Sequence, residues 1–266
     1  MTVTHEQLVA RARGGDRVAL DALVREIKDL VYSLAARMLG DPIAAEDATQ
    51  EILIRCVTAL DSFRGESAFR TWVYRVASNH LLTVRGKRAR ETTETFDELE
   101  GRLAAGVASP VKPVDDALML EEAKLICTSM MLQCLDRDHR LAFILGEVLE
   151  LPSEEAAAAL EIAPDAFRKR LSRARTRMEE FTRGNCGLVD PANACRCGKQ
   201  AANAIAKGKV SPDRLTWVHR AKRSPVAEIT TLIKTVELFR TELVAPEEIA
   251  EQLRALIAGG DVTILS

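Results

Sequence analysis

The chain has few aromatic residues, few histidines and no long apolar run. Phe, Trp and Tyr make up 4% of its 266 residues, while alanine and leucine abound, a composition that favours helix over sheet. The four histidines, His5, His80, His139 and His219, are scattered. Neither a glycine-rich phosphate loop nor a nucleophile motif occurs, so nothing points to an enzyme. No stretch reaches the roughly 18 apolar residues that a bilayer span requires, and the first residues, MTVTHEQL, lack the apolar core of a signal peptide. These absences point to a cytoplasmic protein with no membrane partner. There the six cysteines read as buried thiols, metal ligands or redox groups rather than structural disulfides.

Net charge is also lacking, with 37 Lys and Arg against 39 Asp and Glu. A neutral total argues by itself against nucleic acid, but the local field governs docking. Basic residues cluster at 85–90 and 168–183, whereas 91–122 is acid-rich. The length suits about two domains, and the apolar fraction is enough for compact cores.

Hydrophobic period predicts an all-α fold. Residues 5–39 form two helices broken at Gly14-Gly15-Asp16, with Leu20, Leu23, Val24, Ile27, Val31, Leu34 and Met38 on one face. Asp41 caps the next helix and Pro42 suits its first turn; Ala45, Ala48, Ile52, Cys56 and Leu60 face inward. After the loop SFRGES, Ser67 is expected to cap a third long helix, with Phe69, Trp72, Val73, Val76, His80 and Val84 inside. Residues 86–115 show no sustained period, and Ser109-Pro110 and Lys112-Pro113 discourage helix, so they read as an extended or weakly ordered linker. Helix resumes at Asp116, runs through Leu135, restarts at Asp136 and continues near 137–149.

The stretch LPSEEAAAALEIAPDAFRKRLSRARTRMEEF reads as two short helices joined by a tight turn. On the second, Phe167, Leu171, Ala174, Met178 and Phe181 form an apolar stripe. Arg168, Lys169, Arg170, Arg173, Arg175 and Arg177 cover much of the rest. So many guanidinium groups on one helix suit a polyanion, and the pair of helices is a helix-turn-helix, whose second helix enters the major groove of DNA.

EDATQEILIRCVTAL followed by SFRGESAFRTWVYRVASNHLLTVRGKRAR resembles region two of the sigma-70 family of bacterial transcription initiation factors. PSEEAAAALEIAPDAFRKRLSRARTRM is similar to its region four. With no region-three domain between them, the chain resembles an extracytoplasmic-function (ECF) sigma factor over residues 5–183. The resemblance implies a division into region two (1–90), linker (91–115), region four (116–183) and a C-terminal extension (184–266). It implies core RNA polymerase and promoter DNA as partners. Asp47, Gln50 and Glu51, spaced along one helix face, would meet the β′ clamp. Phe63, Arg64, Ser67, Phe69, Arg70, Trp72, Tyr74, Arg75 and Asn79 would supply stacking faces, cations and amides to the melted −10 element. Of these, Phe69 and Trp72 also fall on the apolar stripe and suit the core, leaving Arg64, Arg70, Arg75 and Asn79 as the DNA residues. Arg85, Lys87, Arg88 and Arg90 would touch duplex phosphates.

In region four, Ala166, Arg168, Lys169 and Arg170 would stand at the groove-facing start of the recognition helix over the −35 element, with Arg173 and Arg175 nearer the backbone. The common family form has Gly-Thr-Val-Lys-Ser-Arg here. Asp165, Phe167 and Lys169 replace its Gly, Val and Ser, and the Lys alters the base-reading chemistry. His139 and Arg140 read as surface residues near the polymerase β flap partner. The linker acids Asp97, Glu98, Glu100, Asp115 and Asp116 either mimic nucleic-acid charge in the polymerase cleft or merely solvate a tether. A helix-turn-helix regulator that binds duplex DNA without polymerase is the competing reading, but it needs neither the DATQE helix nor the aromatic segment.

The extension opens on Cys186, Cys195 and Cys197. Thiolates this close can share one soft metal such as zinc, sense redox state, or be inert loop cysteines; a closed zinc site needs a fourth ligand, from His219, Asp190 or a cysteine elsewhere. Arg196 and Lys199 would favour the reactive forms. Cys56, Cys127 and Cys134 read as core thiols. Helical patterns follow near 199–207, 225–243 and 246–258. ECF factors with such extensions use them in place of a separate anti-sigma factor, which implies regulation within the chain.

Overall fold

The structure, a computed structural model, describes residues 4–83, 94–221 and 235–259. Its helices, in chain order, are α1 (His5–Arg13), α2 (Arg17–Leu39), α3 (Pro42–Thr58), α4 (Phe69–Thr83), α5 (Phe96–Ala108), α6 (Ala117–Gln133), α7 (Arg137–Phe143), α8 (Ser153–Ala159), α9 (Pro164–Asn185), α10 (Cys197–Ala206) and α11 (Glu247–Gly259). The all-α expectation holds: the described residues form no strand, and strand-like pairing is confined to isolated bridges such as that between Cys186 and Cys195. The helices fall into two compact units, which do not follow the chain-order division drawn from the sequence.

The first unit holds 4–83, 152–167 and 243–259. Asp16 caps α2, its carboxylate accepting from the N–H groups of Val18 and Ala19, and Asp41 caps α3 through Ala44 N–H. The α2 stripe from Leu20 to Met38 is buried, as are Ala45, Ala48, Ile52, Cys56 and Leu60. Ser67 behaves otherwise than expected. Its hydroxyl donates to the Ala68 carbonyl (3.4 Å), and α4 starts at Phe69. The core of this unit closes on an aromatic cluster in which the Phe63 ring lies 5.4 Å from Phe69 and 5.9 Å from Trp72.

Two elements from later in the chain complete this unit. α8 packs on α4, and α11 packs on α2 and α3. α11 buries Ile249, Ala250 and Leu253, preceded by buried Leu243 and Ala245. Polar contacts fasten it: Lys28 Nζ to Glu247 (2.6 Å), Arg254 to Asp21 (2.7 Å) and Ala245 N–H to Asp29 (3.0 Å).

The second unit holds 94–151, 168–221 and 235–242. Its first element corrects the linker expectation. Residues 96–108 form α5, started by a capping box in which Thr95 and Glu98 satisfy each other's backbone N–H groups. Leu99 and Leu103 then bury one face, so Asp97, Glu98 and Glu100 belong to a packed helix.

Arg140 is a second correction. It is 1% exposed, and its guanidinium donates to the carbonyls of Leu132 (2.8 Å), Gln133 (3.0 Å) and Leu135 (2.9 Å). It therefore caps the C-terminal end of α6, where a cation meets the negative pole of the helix. α7 runs on into a π turn at Ile144–Val148.

The extension is fastened within this unit through a buried carboxylate. Glu122, on α6, accepts from the backbone N–H groups of Thr216 (2.8 Å), Trp217 (3.0 Å) and Val218 (2.8 Å). Of the helix expected near 225–243, the described part is a 3-10 turn, Thr235–Phe239, followed by irregular chain.

Candidate nucleic-acid interface

The helix-turn-helix forms because α8 stops abruptly. Glu161 takes a left-handed conformation (φ 54°), and Ile162 N–H reaches back to the Ala157 carbonyl (3.1 Å). This is the Schellman type of helix stop. Pro164 then opens α9, with Asp165 in its first turn favouring the positive pole.

α9 separates its two kinds of residue cleanly. Phe167, Leu171, Ala174, Met178 and Phe181 are all buried. Arg168, Lys169, Arg173, Arg175 and Arg177 are exposed, and Ala166 and Arg170 are half-buried. The charges are not equivalent. Arg170 pairs with Asp138 (3.1 Å), and Arg175 forks onto Glu147, with Nε at 2.9 Å. Lys169 and Arg173 make no ion pair among the described residues and present their full charge outward. Sequence periodicity found this face but could not find the two carboxylates, which come from α7 and the π turn.

On α4 the structure sorts the expected DNA groups. Phe63, Phe69, Trp72 and Tyr74 are buried. Phe69 and Trp72 stack on each other with ring centroids 5.8 Å apart. Phe63 and Tyr74, expected to offer stacking faces, are core residues here. Burial also pushes the Tyr74 hydroxyl up to about 12, against the pull of Arg70 and Arg37. The polar groups remain outside. Arg64 and Asn79 are exposed, Arg75 is half-buried, and Arg70 reaches Glu26 at 3.3 Å. Asn79 donates to Glu161 (3.3 Å), and Thr71 donates to Glu155 of α8 (3.3 Å). Arg85, Lys87, Arg88 and Arg90 lie outside the described residues.

On α3, Asp47 and Glu51 are exposed and Gln50 is half-buried, on the side opposite the buried stripe. Glu51 sits 3.6 Å from buried His80. Burial is the main cause that lowers the His80 pKa below its ordinary 6.5; Arg55 adds to the drop and Glu51 opposes it.

The cysteines divide differently from the expectation. Cys56 is core, its thiol pushed up to about 12 by burial. Cys127 and Cys134 are only partly buried. The Cys127 thiol lies within electrostatic reach of Cys186, Cys195 and Cys197, and those three lie within reach of one another. Burial, and then this mutual repulsion, raises the thiol pKa of Cys127 and takes that of Cys197 to about 12. Among the described residues no group of three or more His, Cys, Asp or Glu side chains already stands at metal-holding geometry.

No described helix is long and apolar enough to cross a membrane. The family model for sigma-70 region 2 matches residues 23–91, and that for sigma-70, region 4, matches 125–178. The RNA polymerase sigma-H factor of Pseudomonas aeruginosa is 31% identical over 179 residues, covering 66% of this chain and 92% of that protein. The ECF RNA polymerase sigma-E factor of Escherichia coli K12 is 34% identical over 178 residues, covering 65% and 91%. Among solved structures, CnrH in complex with the cytosolic domain of CnrY matches at 24% identity, 66% of this chain and 96% of that one, with a TM-score of 0.48.

Proposed function

The chain belongs to the extracytoplasmic-function sigma factors of RNA polymerase, and from this membership we propose how its residues divide the work of promoter-specific initiation. Sigma factors are initiation factors, not enzymes. They bind core polymerase, recognise two promoter elements and open the DNA. The chain acts where the polymerase is, in the cytoplasm.

Asp47, Gln50 and Glu51 on α3 contact the β′ clamp, an acidic and amide face kept outside by the buried stripe behind it. Arg64, Arg70, Arg75 and Asn79 receive the −10 element, while Ala166, Arg168, Lys169 and Arg170 read the −35 groove and Arg173 and Arg175 meet phosphates. Arg85, Lys87 and Arg88 add further phosphate contacts, and the β flap receives the region-four unit. The observation that carries the DNA assignment is the outward row of Lys169 and Arg173 over a buried stripe. A stable helix needs the stripe but not the row.

The extension regulates access within the chain. α11 occupies the face formed by α2 and α3, while Glu161, in the turn after α8, holds Asn79. Asn79 has given one of its two amide protons to Glu161 (3.3 Å), so promoter binding at Asn79 competes in part with that contact.

Run-off transcription with core polymerase and a promoter library tests the reading. The wild-type chain directs transcripts from a defined promoter class. Asp47→Lys with Glu51→Lys abolishes polymerase pull-down, and Lys169→Ala weakens the −35 dependence. DNA binding without any polymerase retention would favour the duplex-binding regulator instead.

A further inference from the structure

Three of the four thiols in the cluster come from the extension and one comes from region four. Cys186 ends its hydrogen-bonded helical run on Thr182 (Cys186 N–H to O, 2.8 Å), and its own carbonyl accepts from Val189 and Asp190. The chain returns so that Cys195 pairs with Cys186 as a bridge. A Cβ on Gly187 would fall 2.3 Å from the Cys195 carbonyl oxygen, so only glycine allows this approach. Arg196 clamps the loop from outside, donating to the carbonyls of Asn193, Cys195 (2.9 Å) and Pro191 (2.9 Å). Cys197 opens α10, which packs on α6, the helix that carries Cys127. The start of α10 is pinned: Lys199 donates to Ser109 (2.5 Å) and Val111 (2.7 Å), and Val114 N–H donates to Gly198 (3.1 Å).

We propose that Cys127, Cys186, Cys195 and Cys197 form a four-thiolate site for one structural zinc-class cation that fastens the extension to region four. The loop is built and braced as a knuckle, although its apolar content is small: between Cys186 and Cys197 no side chain is fully buried. A loop ordered without a core needs another source of cohesion, and a soft divalent cation supplies it. The thiols are not gathered at ligand spacing among the described residues; the cation would draw the four sulfurs, as thiolates, to one centre. Four Zn–S bonds form and up to four thiol protons pass to solvent, with no change of oxidation state. Arg196 lies beside Cys195 and would offset part of the resulting doubly negative centre; Arg102 near Cys127 and Lys124 near Cys197 are already paired with Glu94 and Glu121. Gln200 Nε2 lies 3.5 Å from Cys195 Sγ and donates to the Leu103 carbonyl (2.8 Å), an outer-shell brace for a ligand sulfur. Cys134 takes no part; its thiol donates to the Met130 carbonyl on its own helix.

The test uses the full chain, purified in a non-thiol reductant and titrated with zinc against a chromophoric chelator. The expected result is about one zinc per chain, bound by four sulfurs as seen in the thiolate charge-transfer bands of the cobalt-substituted protein. Cys127→Ser and Cys195→Ser each weaken zinc binding by at least about tenfold, while Cys134→Ser leaves it unchanged. Zinc also shields the four thiols of the wild-type chain from alkylation as a set, a readout that survives if a serine variant misfolds. The proposal is overturned if the wild-type chain fails to compete with the chelator. It is equally overturned if Cys127→Ser binds zinc as wild type does, or if Cys134 is shielded in place of Cys127. None of these readouts depends on polymerase, so they stand apart from the sigma assignment.

Discussion

Truncating Leu253 to alanine tests whether α11 opens as an independent element. Leu253 is fully buried on the α2–α3 face. It also lines a cavity of about 210 Å³ together with Leu20, Val24 and Ile257. Leu-to-Ala changes in packed cores cost about 2–5 kcal/mol, and the cost grows with the volume of the void left behind. Because one flank of Leu253 already faces open space, its truncation removes less dispersion attraction than at a fully enclosed position. The lower part of that range, about 2–3 kcal/mol, therefore applies. At about 1.4 kcal/mol per factor of ten, the opening equilibrium of α11 rises by roughly 30- to 150-fold. Hydrogen exchange of the intact chain, read by mass spectrometry on peptides covering 247–259, should accelerate by that factor. Peptides from α6 should not change. Exchange that is unaltered in α11 would refute the burial argument. A parallel acceleration across α2, α3 and α4 would show that α11 is an inseparable part of that core and cannot act as a releasable cover.

Other outcomes follow from single contacts. Arg173→Ala should lower the slope of log affinity against log salt by about 0.9 for −35 duplex binding by the holoenzyme, as expected for one phosphate contact; an unchanged slope would place this residue off the DNA. His80 has a depressed pKa in the fold, so the unfolded chain takes up its proton first as pH falls. The stability contributed by neutral His80 is therefore complete above 6.5 and is lost as pH falls through the lower folded value. His80→Gln should flatten the fall of Tm below pH 6.5, and a fall as steep as in the wild type would assign the effect to other groups. Glu122→Gln should weaken the anchoring of 216–218 by about 1.5–3 kcal/mol, since the bonds it weakens run to a charged acceptor. Faster exchange confined to that loop is the expected readout.

Much of this protein is present in local sequence. The period of α2 and α3, the caps at Asp16 and Asp41, and the two faces of α9 need only nearest neighbours along a helix, and they appear as the residue pattern requires. The signal for α5 is also there, in Thr95 and Glu98, but it is a short one inside an acidic stretch with flanking prolines, and composition outweighs it. Arg140 and Phe63 are different. A guanidinium or an aromatic ring suits either a surface or a core, and only the carbonyls at the end of α6, or the rings of Phe69 and Trp72, decide between them.

The sequence by itself determined the helices, the family and the chemistry on offer: a basic recognition face, an acidic and amide face, and three clustered thiols. Tertiary structure decided which of those groups are engaged. It paired Arg170 and Arg175 with Asp138 and Glu147, brought Cys127 near the other thiols from 59 residues before Cys186, and laid α11 on α2 and α3. The physical reason is that helix formation follows from contacts three and four residues apart, whereas charge pairing, thiol clustering and docking depend on distances between elements that no local pattern encodes.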